Sequence, residues 1–481
     1  MNLRFVGHLV GLVIVVVGAG ILVSAVVSAI YGDPDVIHLI VSAAIAFAVG
    51  TPLFFATRLR GETNIGYREG FLSVGLGWIV AMVFGAVPYV VWGVFGPVDA
   101  LFESMSGFTT TGASVLTDYA QPHGLLFWRS LSHWFGGMGI IVLFIAVLRP
   151  LGAGAMRLFS AESPGPASER LTPRLRDTAR NLWLIYAGLT VAQIILLSIF
   201  GVSIFDAFCH AFGTMATGGF STRATGIAEF DSLPVELILV FFMWIAGGNF
   251  ALYYAVLRGR PSRLYKNPEF RLYTAIMAIS VVAVAISLIA AESHFSAGHA
   301  LREALFQVAS IQTTTGFATA DFDLWNPFAK LLLVLLMFVG GSAGSTAGGL
   351  KVARILLLFK SSRHELTRQM HPQAVLPLKI GGRIVPEGAR INVLGYFVIY
   401  MAVFVVGSLL VAATNVDMVT STTSVAATLN NIGPGLGMVG PMVNYAFLHP
   451  FAKVVLIVMM VVGRLELFAI LIPLTRAFWR R

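Results

Sequence analysis

The chain has 481 residues, of which 57% are hydrophobic and 11% charged, and its mean hydropathy is +0.83. Soluble proteins carry about a quarter charged residues, so this composition excludes a soluble globular domain and indicates a polytopic, all-α membrane protein. The net charge of +9 is concentrated in a few loops and does not indicate nucleic-acid binding. The single cysteine, Cys209, excludes a disulfide framework within the chain and offers no thiolate cluster for a metal.

Two apolar segments open the chain. Residues 5–30 and 36–57 each approach or exceed the roughly 20 residues that cross a bilayer. The first is too long for the apolar core of a signal peptide and is not followed by a convincing cleavage site, so we expect a retained helix. Residues 1–60 are therefore predicted to form two N-terminal transmembrane helices.

From residue 61 onward one pattern is repeated four times: an apolar helix (M1), a half-length helix, a glycine loop and a second apolar helix (M2). The predicted M1 and M2 helices lie at 71–95 and 124–148, 182–201 and 235–257, 272–291 and 327–359, and 392–413 and 448–473. The half-helices are predicted at 99–109, 204–215, 301–313 and 418–430. They are too short to cross, so they must enter the membrane and turn back. The predicted repeats are 61–150, 151–260, 261–360 and 391–481, with a cytoplasmic loop at 361–390.

The four loops carry the strongest signal in the sequence. They read Thr109-Thr110-Thr111-Gly112-Ala113, Met215-Ala216-Thr217-Gly218-Gly219, Thr313-Thr314-Thr315-Gly316-Phe317 and Asn430-Asn431-Ile432-Gly433-Pro434. In the first three a phenylalanine precedes the glycine by ten residues: Phe102, Phe208 and Phe306. Glycine-rich helix packing is the alternative interpretation, but it does not explain the half-length helices.

The charges predict the topology. Basic residues gather at 58–68, 149–180, 258–271, 351–390 and the C-terminus, and the positive-inside rule places these segments in the cytoplasm. Ten full spans would then return both termini to that side. The opposite loops are rich in acidic residues, so we expect a negative outer vestibule that concentrates cations. These acidic residues include Asp33, Asp35, Asp118, Asp231, Asp321 and Asp323. Arg129, Lys330 and Lys453 begin M2 helices on the outer side and are expected to extend to the interface.

Backbone exposed inside a bilayer is tolerated only where it is buried in protein or lines a watery path. Four loops around one axis can direct carbonyl oxygens at a cation and replace its hydration shell. The C-terminal ends of the half-helices would each add roughly half a negative charge at the central cavity. No acidic side chain lies within the loops, so selectivity is expected to come from carbonyl oxygens.

The four units resemble the TrkH/KtrB superfamily of bacterial potassium transporters, and the two extra N-terminal helices resemble its TrkH branch. The resemblance implies potassium uptake through a pseudo-fourfold pore in a homodimer, in the bacterial inner membrane, with a cytosolic nucleotide-binding TrkA partner. Potassium would be the transported ion, and membrane lipid would contact the outer surface of the protein. The filter positions that it implies are Thr110, Thr111, Gly112, Ala216, Thr217, Gly218, Thr314, Thr315, Gly316, Asn431, Ile432 and Gly433.

The third M2 helix is interrupted at residues 340–349, where five of ten residues are glycine. Each glycine costs a helix about 1 kcal/mol relative to alanine, so this stretch is predicted to be non-helical. It resembles the intramembrane loop that blocks the path below the filter in the family, with Gly344, Ser345 and Gly348 as gating residues. Arg464 lies deep in the last helix, where a charge is a functional hypothesis by default. We expect it to repel cations and to donate hydrogen bonds to the loop, whereas the alternative is a structural pair with Glu466.

Two other classes of protein compete with this interpretation. Secondary transporters of organic solutes also use broken helices, but they usually have twofold repeats. An intramembrane enzyme would need paired acids, a nucleophile with its base, or a metal cluster in the apolar spans, which contain nearly none of these, so the chain is not predicted to be an enzyme. Passive flux and flux coupled to sodium or protons are both compatible with this sequence.

Overall fold

The computed structural model describes residues 1–58, 67–139, 175–291, 296–371 and 377–479. Within these ranges six helices are long and apolar enough to cross a membrane, or seven if one bent pair is counted as a single span. The described strands are limited to one hairpin of β1, Lys379–Ile380, and β2, Arg383–Ile384. The all-α membrane fold is therefore confirmed.

The two N-terminal helices form a hairpin. Helix α1, Leu3–Tyr31, ends at Gly32, whose φ of 74° is left-handed, and α2, Val36–Ala56, follows directly. The helices approach closely at Gly11, where an added Cβ would lie 2.7 Å from the Phe54 backbone nitrogen. Helix α1 also packs against the first M1 and M2 helices.

The four M1 helices are long and continuous. They are α3, Tyr67–Trp92; α6, Leu175–Ile199; α11, Pro268–Ala291; and α15, Glu387–Ala412. Each begins before the apolar run that predicted it, because charged residues such as Arg68 and Glu387 occupy the first turn. Many of their apolar side chains, such as Val191 and Ile279, are exposed on the outside of the protein, as expected of surfaces that face lipid.

The four half-helices are present, and they occupy the centre of the molecule. They are α4, Pro97–Phe108; α7, Ile204–Met215; α12, Ala297–Gln312; and α16, Met418–Leu429. With 12 to 16 residues they reach about 18–24 Å, less than the roughly 30 Å of a bilayer core. Three of them begin at polar caps, Ser203, Ser296 and Asp417, whereas their C-terminal turns are buried.

The M2 helices are interrupted within the described residues, so they are not the continuous helices that were predicted, and the number of membrane crossings stays a prediction. The first is α5, His123–Trp134, followed by a π-helix, Phe135–Gly139. The second divides into α8, Leu233–Ala246, and α9, Phe250–Leu257, with a bend of 97° between them. The third begins as α13, Pro327–Val339. The fourth is α17, Pro450–Arg464, followed by α18, Phe468–Leu474.

Shorter helices complete the described chain: α10, Ser262–Lys266; α14, Val352–Met370; and α19, Arg476–Trp479. Because α14 continues to Met370, the first ten residues of the predicted loop 361–390 are helical. The predicted end of the first M2 helix, 140–148, and most of the basic segment 149–180 lie outside the described residues. The boundaries of the four predicted repeats stay a prediction.

Candidate functional site

The loops at the ends of the half-helices share one backbone conformation. Each has a non-glycine residue with a positive φ: Thr110 at 55°, Thr217 at 55°, Thr314 at 58° and Asn431 at 54°. Two residues later each has a glycine with a positive φ: Gly112 at 79°, Gly219 at 81°, Gly316 at 79° and Gly433 at 99°. A left-handed non-glycine residue costs roughly 1–2 kcal/mol. The same strained conformation at four matching positions indicates a functional geometry.

The four loops contact one another in cyclic order. A Cβ added at Gly112 would lie 2.1 Å from Gly218 O, and one added at Gly219 would lie 2.0 Å from Thr315 O. A Cβ added at Gly316 would lie 1.8 Å from Ile432 O, and one added at Gly433 would lie 2.7 Å from Thr111 O. Each of these oxygens belongs to the residue just before a loop glycine. The contacts therefore close a ring of four equivalent carbonyl groups, and no side chain larger than hydrogen fits at the glycines.

The sequence register of the second loop is wrong by one residue. It placed Ala216, Thr217 and Gly218 at the filter positions, whereas the positive φ values lie at Thr217 and Gly219. Ala216 has an ordinary helical conformation, with φ −78° and ψ −12°, and it ends α7. Two successive glycines in this loop made the register ambiguous, and the structure selects the second. The first, third and fourth triplets keep the predicted register.

The phenylalanine pattern caused this error. Phe102 and Phe306 are buried, but Phe208 is 37% exposed and lies on the outside of its half-helix. The residue ten positions before Gly219 is Cys209, which is fully buried. The residue ten positions before the loop glycine is buried in the other loops, so Cys209 is the matching residue and Phe208 is not. The sequence does not show this difference in burial.

A cavity of about 110 Å³ lies on the outer side of the ring, and residues from all four loops line it. Its lining includes Arg129 and Arg223 and no carboxylate, so this cavity is not itself negative, and the wider negative vestibule stays a prediction. The acidic residues of the outer loops differ in exposure: Asp118 is exposed, whereas others are paired or buried. Asp33 contacts His123 at 3.0 Å, and burial raises the pKa of the Asp35 carboxyl, which weakens its contribution to a negative surface.

Two basic residues at the M2 helices do not extend to the interface as predicted. Arg129 is 1% exposed, and its Nε lies 2.7 Å from Glu103 Oε1 on the neighbouring half-helix. Lys453 is 4% exposed, with Nζ 2.6 Å from Asp99 Oδ1. A nearby carboxylate makes burial of each charge possible. Lys330 is partly exposed and donates to the Asp323 carbonyl at 2.9 Å.

The interruption predicted at 340–349 is present and lies against the inner side of the ring. Gly348 N donates to Thr314 Oγ1 at 2.7 Å, and Thr346 Oγ1 donates to Met215 O at 3.0 Å. An added Cβ on Gly348 would lie 2.1 Å from Asn430 O. The segment therefore contacts the ends of three of the four half-helices.

The other residues predicted to act in gating shape this segment. Gly344 has a φ of 76°, and its carbonyl accepts a hydrogen bond from Phe250 N at 3.1 Å. Ser345 Oγ donates to Ser342 O at 2.6 Å, which closes a turn within the segment. Ser342 N in turn donates to Gly247 O at 2.8 Å. The segment is thus held at the break of the second M2 helix.

Arg464 lies on the same inner side. Its NH1 donates to Thr346 O at 2.7 Å, and its NH2 donates to Gly136 O at 2.7 Å and Gly137 O at 3.1 Å. One guanidinium thus contacts the interruption of the third M2 helix and the π-helix of the first. Glu466 does not pair with it, since that carboxylate contacts Arg354 instead.

Sequence reasoning missed that every M2 helix breaks at a glycine. A glycine pair lies in the π-helix of the first M2 helix, Gly136-Gly137, and at the breaks of the second and third, Gly247-Gly248 and Gly340-Gly341, whereas the fourth has Gly463-Arg464 directly before its break. Each follows an apolar run, so the repeated pair could have been found in the sequence. The breaks free backbone carbonyls, and these are the acceptors that Arg464 and the 340–349 segment use.

In a helical membrane protein, half-helices that meet at a ring of carbonyl groups are typical of proteins that transport ions. The family model for TrkH, described as cation transport protein, matches residues 38–478. The chain therefore belongs to the TrkH family of cation transport proteins, which are transporters and not enzymes.

Known relatives match over their whole length. The chain is 42% identical over 489 residues to the Trk system potassium uptake protein TrkH of Salmonella typhimurium, and the match covers all of both chains. It is 34% identical to TrkG of Escherichia coli, covering 100% of this chain and 99% of that one. The crystal structure of the potassium transporter TrkH from Vibrio parahaemolyticus superposes with a TM-score of 0.91 at 39% identity, with full coverage of both. These matches confirm the family resemblance and a multi-pass protein of the bacterial inner membrane.

Proposed function

We propose that this chain takes up potassium ions across the inner membrane through the ring of four loops. The observation that carries the proposal is the closed cycle of carbonyl groups at Thr111, Gly218, Thr315 and Ile432. Rings of backbone carbonyls replace the hydration shell of potassium in channel filters. The relatives that match over their full length are named as potassium uptake proteins, which supports the same cargo.

The proposed ligands are main-chain oxygens of three consecutive residues in each loop. With the second register corrected, they are Thr110, Thr111 and Gly112; Thr217, Gly218 and Gly219; Thr314, Thr315 and Gly316; and Asn431, Ile432 and Gly433. No carboxylate belongs to the set, which suits a monovalent ion, because protein sites for calcium use several carboxylates. The buried C-terminal ends of the half-helices add negative potential below the ring.

The proposed gate consists of residues 340–349 and Arg464. The segment contacts the inner ends of the half-helices, so an ion leaving the ring toward the cytoplasm would meet it first. Arg464 adds a positive charge there, and no carboxylate among the described residues lies within ion-pair distance of its guanidinium. Movement of the segment would therefore break the hydrogen bond from Arg464 NH1 to Thr346 O, whereas the two bonds to Gly136 O and Gly137 O hold the guanidinium on the first M2 helix.

We further propose that the chain acts as a homodimer and is controlled by a TrkA-type nucleotide-binding ring on its cytoplasmic side. The relatives are named as parts of a Trk system, and the chain itself contains no nucleotide-binding motif. Light scattering of the purified protein in detergent should give the mass of two chains. A mass of one chain would contradict the dimer.

The deciding experiment is rubidium uptake into proteoliposomes that contain the purified chain. Potassium should compete strongly with rubidium, whereas sodium and lithium should compete weakly, because the fixed carbonyl ring favours the larger ions. Empty liposomes provide the background. Uptake that all three ions inhibit equally would reject the proposed function.

A further inference from the structure

Hydrogen bonds join the neighbouring loops on the outer side of the ring. Each loop glycine is followed by an exit segment that leads to the next M2 helix: 113–122, 220–232, 317–326 and 434–449. The second and third exit segments are joined by Ile227 N and Ala318 O at 3.1 Å, and the fourth and first by Tyr445 N and Ser114 O at 2.8 Å. Gly437 N donates to Asp323 Oδ2 at 3.1 Å between the fourth and third.

The contact between the first and second exit segments is made differently. The guanidinium of Arg129, from α5, donates from NH2 to Ser114 Oγ at 3.1 Å and from NH1 to Ser221 O at 3.1 Å. These two serines each lie two residues beyond the loop glycine of their own segment, Gly112 and Gly219. A side chain therefore bridges two equivalent points, just outside the ring.

Buried partners hold this guanidinium in place. Its Nε donates to Glu103 Oε1 at 2.7 Å, and its central carbon lies 4.1 Å from the centre of the Phe220 ring. Glu103 is fully buried, and its other carboxylate oxygen accepts from Val115 N at 2.9 Å. The ion pair thus joins the first half-helix and both exit segments, and each partner neutralises the other.

The other half-helices have neutral side chains at the position of Glu103. Counted back nine residues from the loop glycine, they are His210, Gln307 and Ser424. His210 Nε2 lies 2.9 Å from Ser221 Oγ, so it contacts the exit segment of its own unit. Ser424 Oγ donates within its helix to Ser421 O at 3.0 Å. A carboxylate at this position of the half-helix, paired with an arginine that donates to two exit segments, is therefore particular to the first of the four described half-helices.

We propose that Arg129 is a positioning residue for ion discrimination, which sets the spacing between the first and second loops at the outer mouth of the ring. This inference rests on the proposed function. A flexible ring of carbonyls adapts to ions of different size, whereas a ring held at fixed spacing discriminates between them. The planar guanidinium of Arg129 donates to Glu103, Ser114 and Ser221 at once. A lysine ammonium at this position cannot reproduce the same three directions.

The test measures a ratio, because a ratio does not depend on how many molecules are folded. In proteoliposomes, the concentrations of sodium and of potassium that halve rubidium uptake are measured, and the sodium concentration is divided by the potassium concentration. Arg129→Lys, and the double variant Glu103→Gln with Arg129→Gln, should each lower the sodium-to-potassium ratio by about tenfold. The neutral double variant leaves no charge unpaired in the interior, so it provides a second route if Arg129→Lys does not fold.

Arg302→Gln is the matched control. Arg302 pairs with Glu236, 2.8 Å from Nε to Oε2, between a half-helix and an M2 helix; its side chain is more exposed than that of Arg129, and it does not bridge two exit segments next to the ring. Its ratio should equal that of the unmodified chain. An unchanged ratio in both Arg129 variants would overturn the inference and leave the proposed function intact, and an equal fall in Arg302→Gln would also overturn it. A chain that fails to discriminate before any substitution rejects the proposed function itself.

Discussion

The loop ring and the region on its inner side follow opposite rules. On the ring itself the four units are nearly equivalent, since each has a left-handed residue and a left-handed glycine at matching positions. On the inner side the described parts of the units differ, because the third unit inserts a long segment beneath the ring and the fourth has Arg464 where the others have the second glycine of a pair.

This contrast separates two requirements. In the proposed function, coordination of a spherical ion needs similar oxygens in all directions, which four similar loops supply. The proposed gate needs an element that can move, and one segment beside one charge would be sufficient for that. Substitutions in the ring should therefore change which ion passes, whereas substitutions below it should change how much passes.

The largest effect is expected from Gly316→Ser. An added Cβ would lie 1.8 Å from Ile432 O, and the φ of 79° is unfavourable for any other residue. Overlap with backbone on top of this strain should reduce rubidium uptake about a hundredfold and abolish discrimination by potassium. Gly93→Ser is the control, since its φ of 88° is similar but nothing lies within 4 Å of the added atom. Retained selectivity in Gly316→Ser would refute carbonyl coordination at this loop.

Arg464→Ala should have the next largest effect, in the opposite direction. It removes the charge and three hydrogen bonds below the ring, and hydrogen bonds of charged groups contribute about 1.5–3 kcal/mol each. Resting rubidium uptake should rise about tenfold at unchanged ion preference. Arg464→Lys keeps the charge but not the hydrogen-bond geometry. Uptake between that of the unmodified chain and that of Arg464→Ala would show how much of the effect comes from charge repulsion and how much from hydrogen bonding. Uptake equal to that of the unmodified chain would show that Arg464 is not part of the gate.

Thr346→Val tests the inner side more gently. Valine keeps the shape but loses the hydroxyl that donates to Met215 O and Ala246 O. Uptake should rise about threefold, in proportion to the loss of roughly one neutral hydrogen bond. Thr422→Val serves for comparison, because that hydroxyl donates only within its own helix, to Met418 and Val419. A fall in potassium preference instead of a rise in uptake would break the division between the two sides.

The smallest effect is expected from Phe208→Ala. This substitution tests whether Phe208 occupies the same buried position as Phe306. Because Phe208 is 37% exposed and contacts the ring of Phe212, its removal should lower the free energy of unfolding in detergent by only about 1 kcal/mol. Phe306→Ala, at a buried matching position, should cost about 3 kcal/mol. Equal losses in denaturant unfolding would show that burial does not distinguish Phe208 from Phe306 at this position.

The helices and the ring were predictable because both are encoded locally. Apolar length reveals the spans, and Thr315-Gly316 or Thr111-Gly112 reveals a loop wherever it falls. The register of Gly218-Gly219 was not predictable, because either glycine satisfies the pattern and only contact with Thr315 distinguishes them.

Contacts between distant parts of the chain account for the other errors. Arg129 was expected at the interface because its partner, Glu103, belongs to another helix. The acceptors of Arg464 at Gly136 and Gly137 lie more than three hundred residues away. A sequence shows that a charge is present in the membrane, whereas the fold shows what neutralises it or accepts its hydrogen bonds.

The cyclic contacts of the loop glycines have a consequence for biosynthesis. Gly433 packs on Thr111 and Gly316 packs on Ile432, so the last loop lies between the first and the third. While a ribosome is still making the final quarter of the chain, the first three loops have an open gap on one side. The closed ring is thus formed in a single late step, when the fourth hairpin inserts, and the proposed ion discrimination could begin only then.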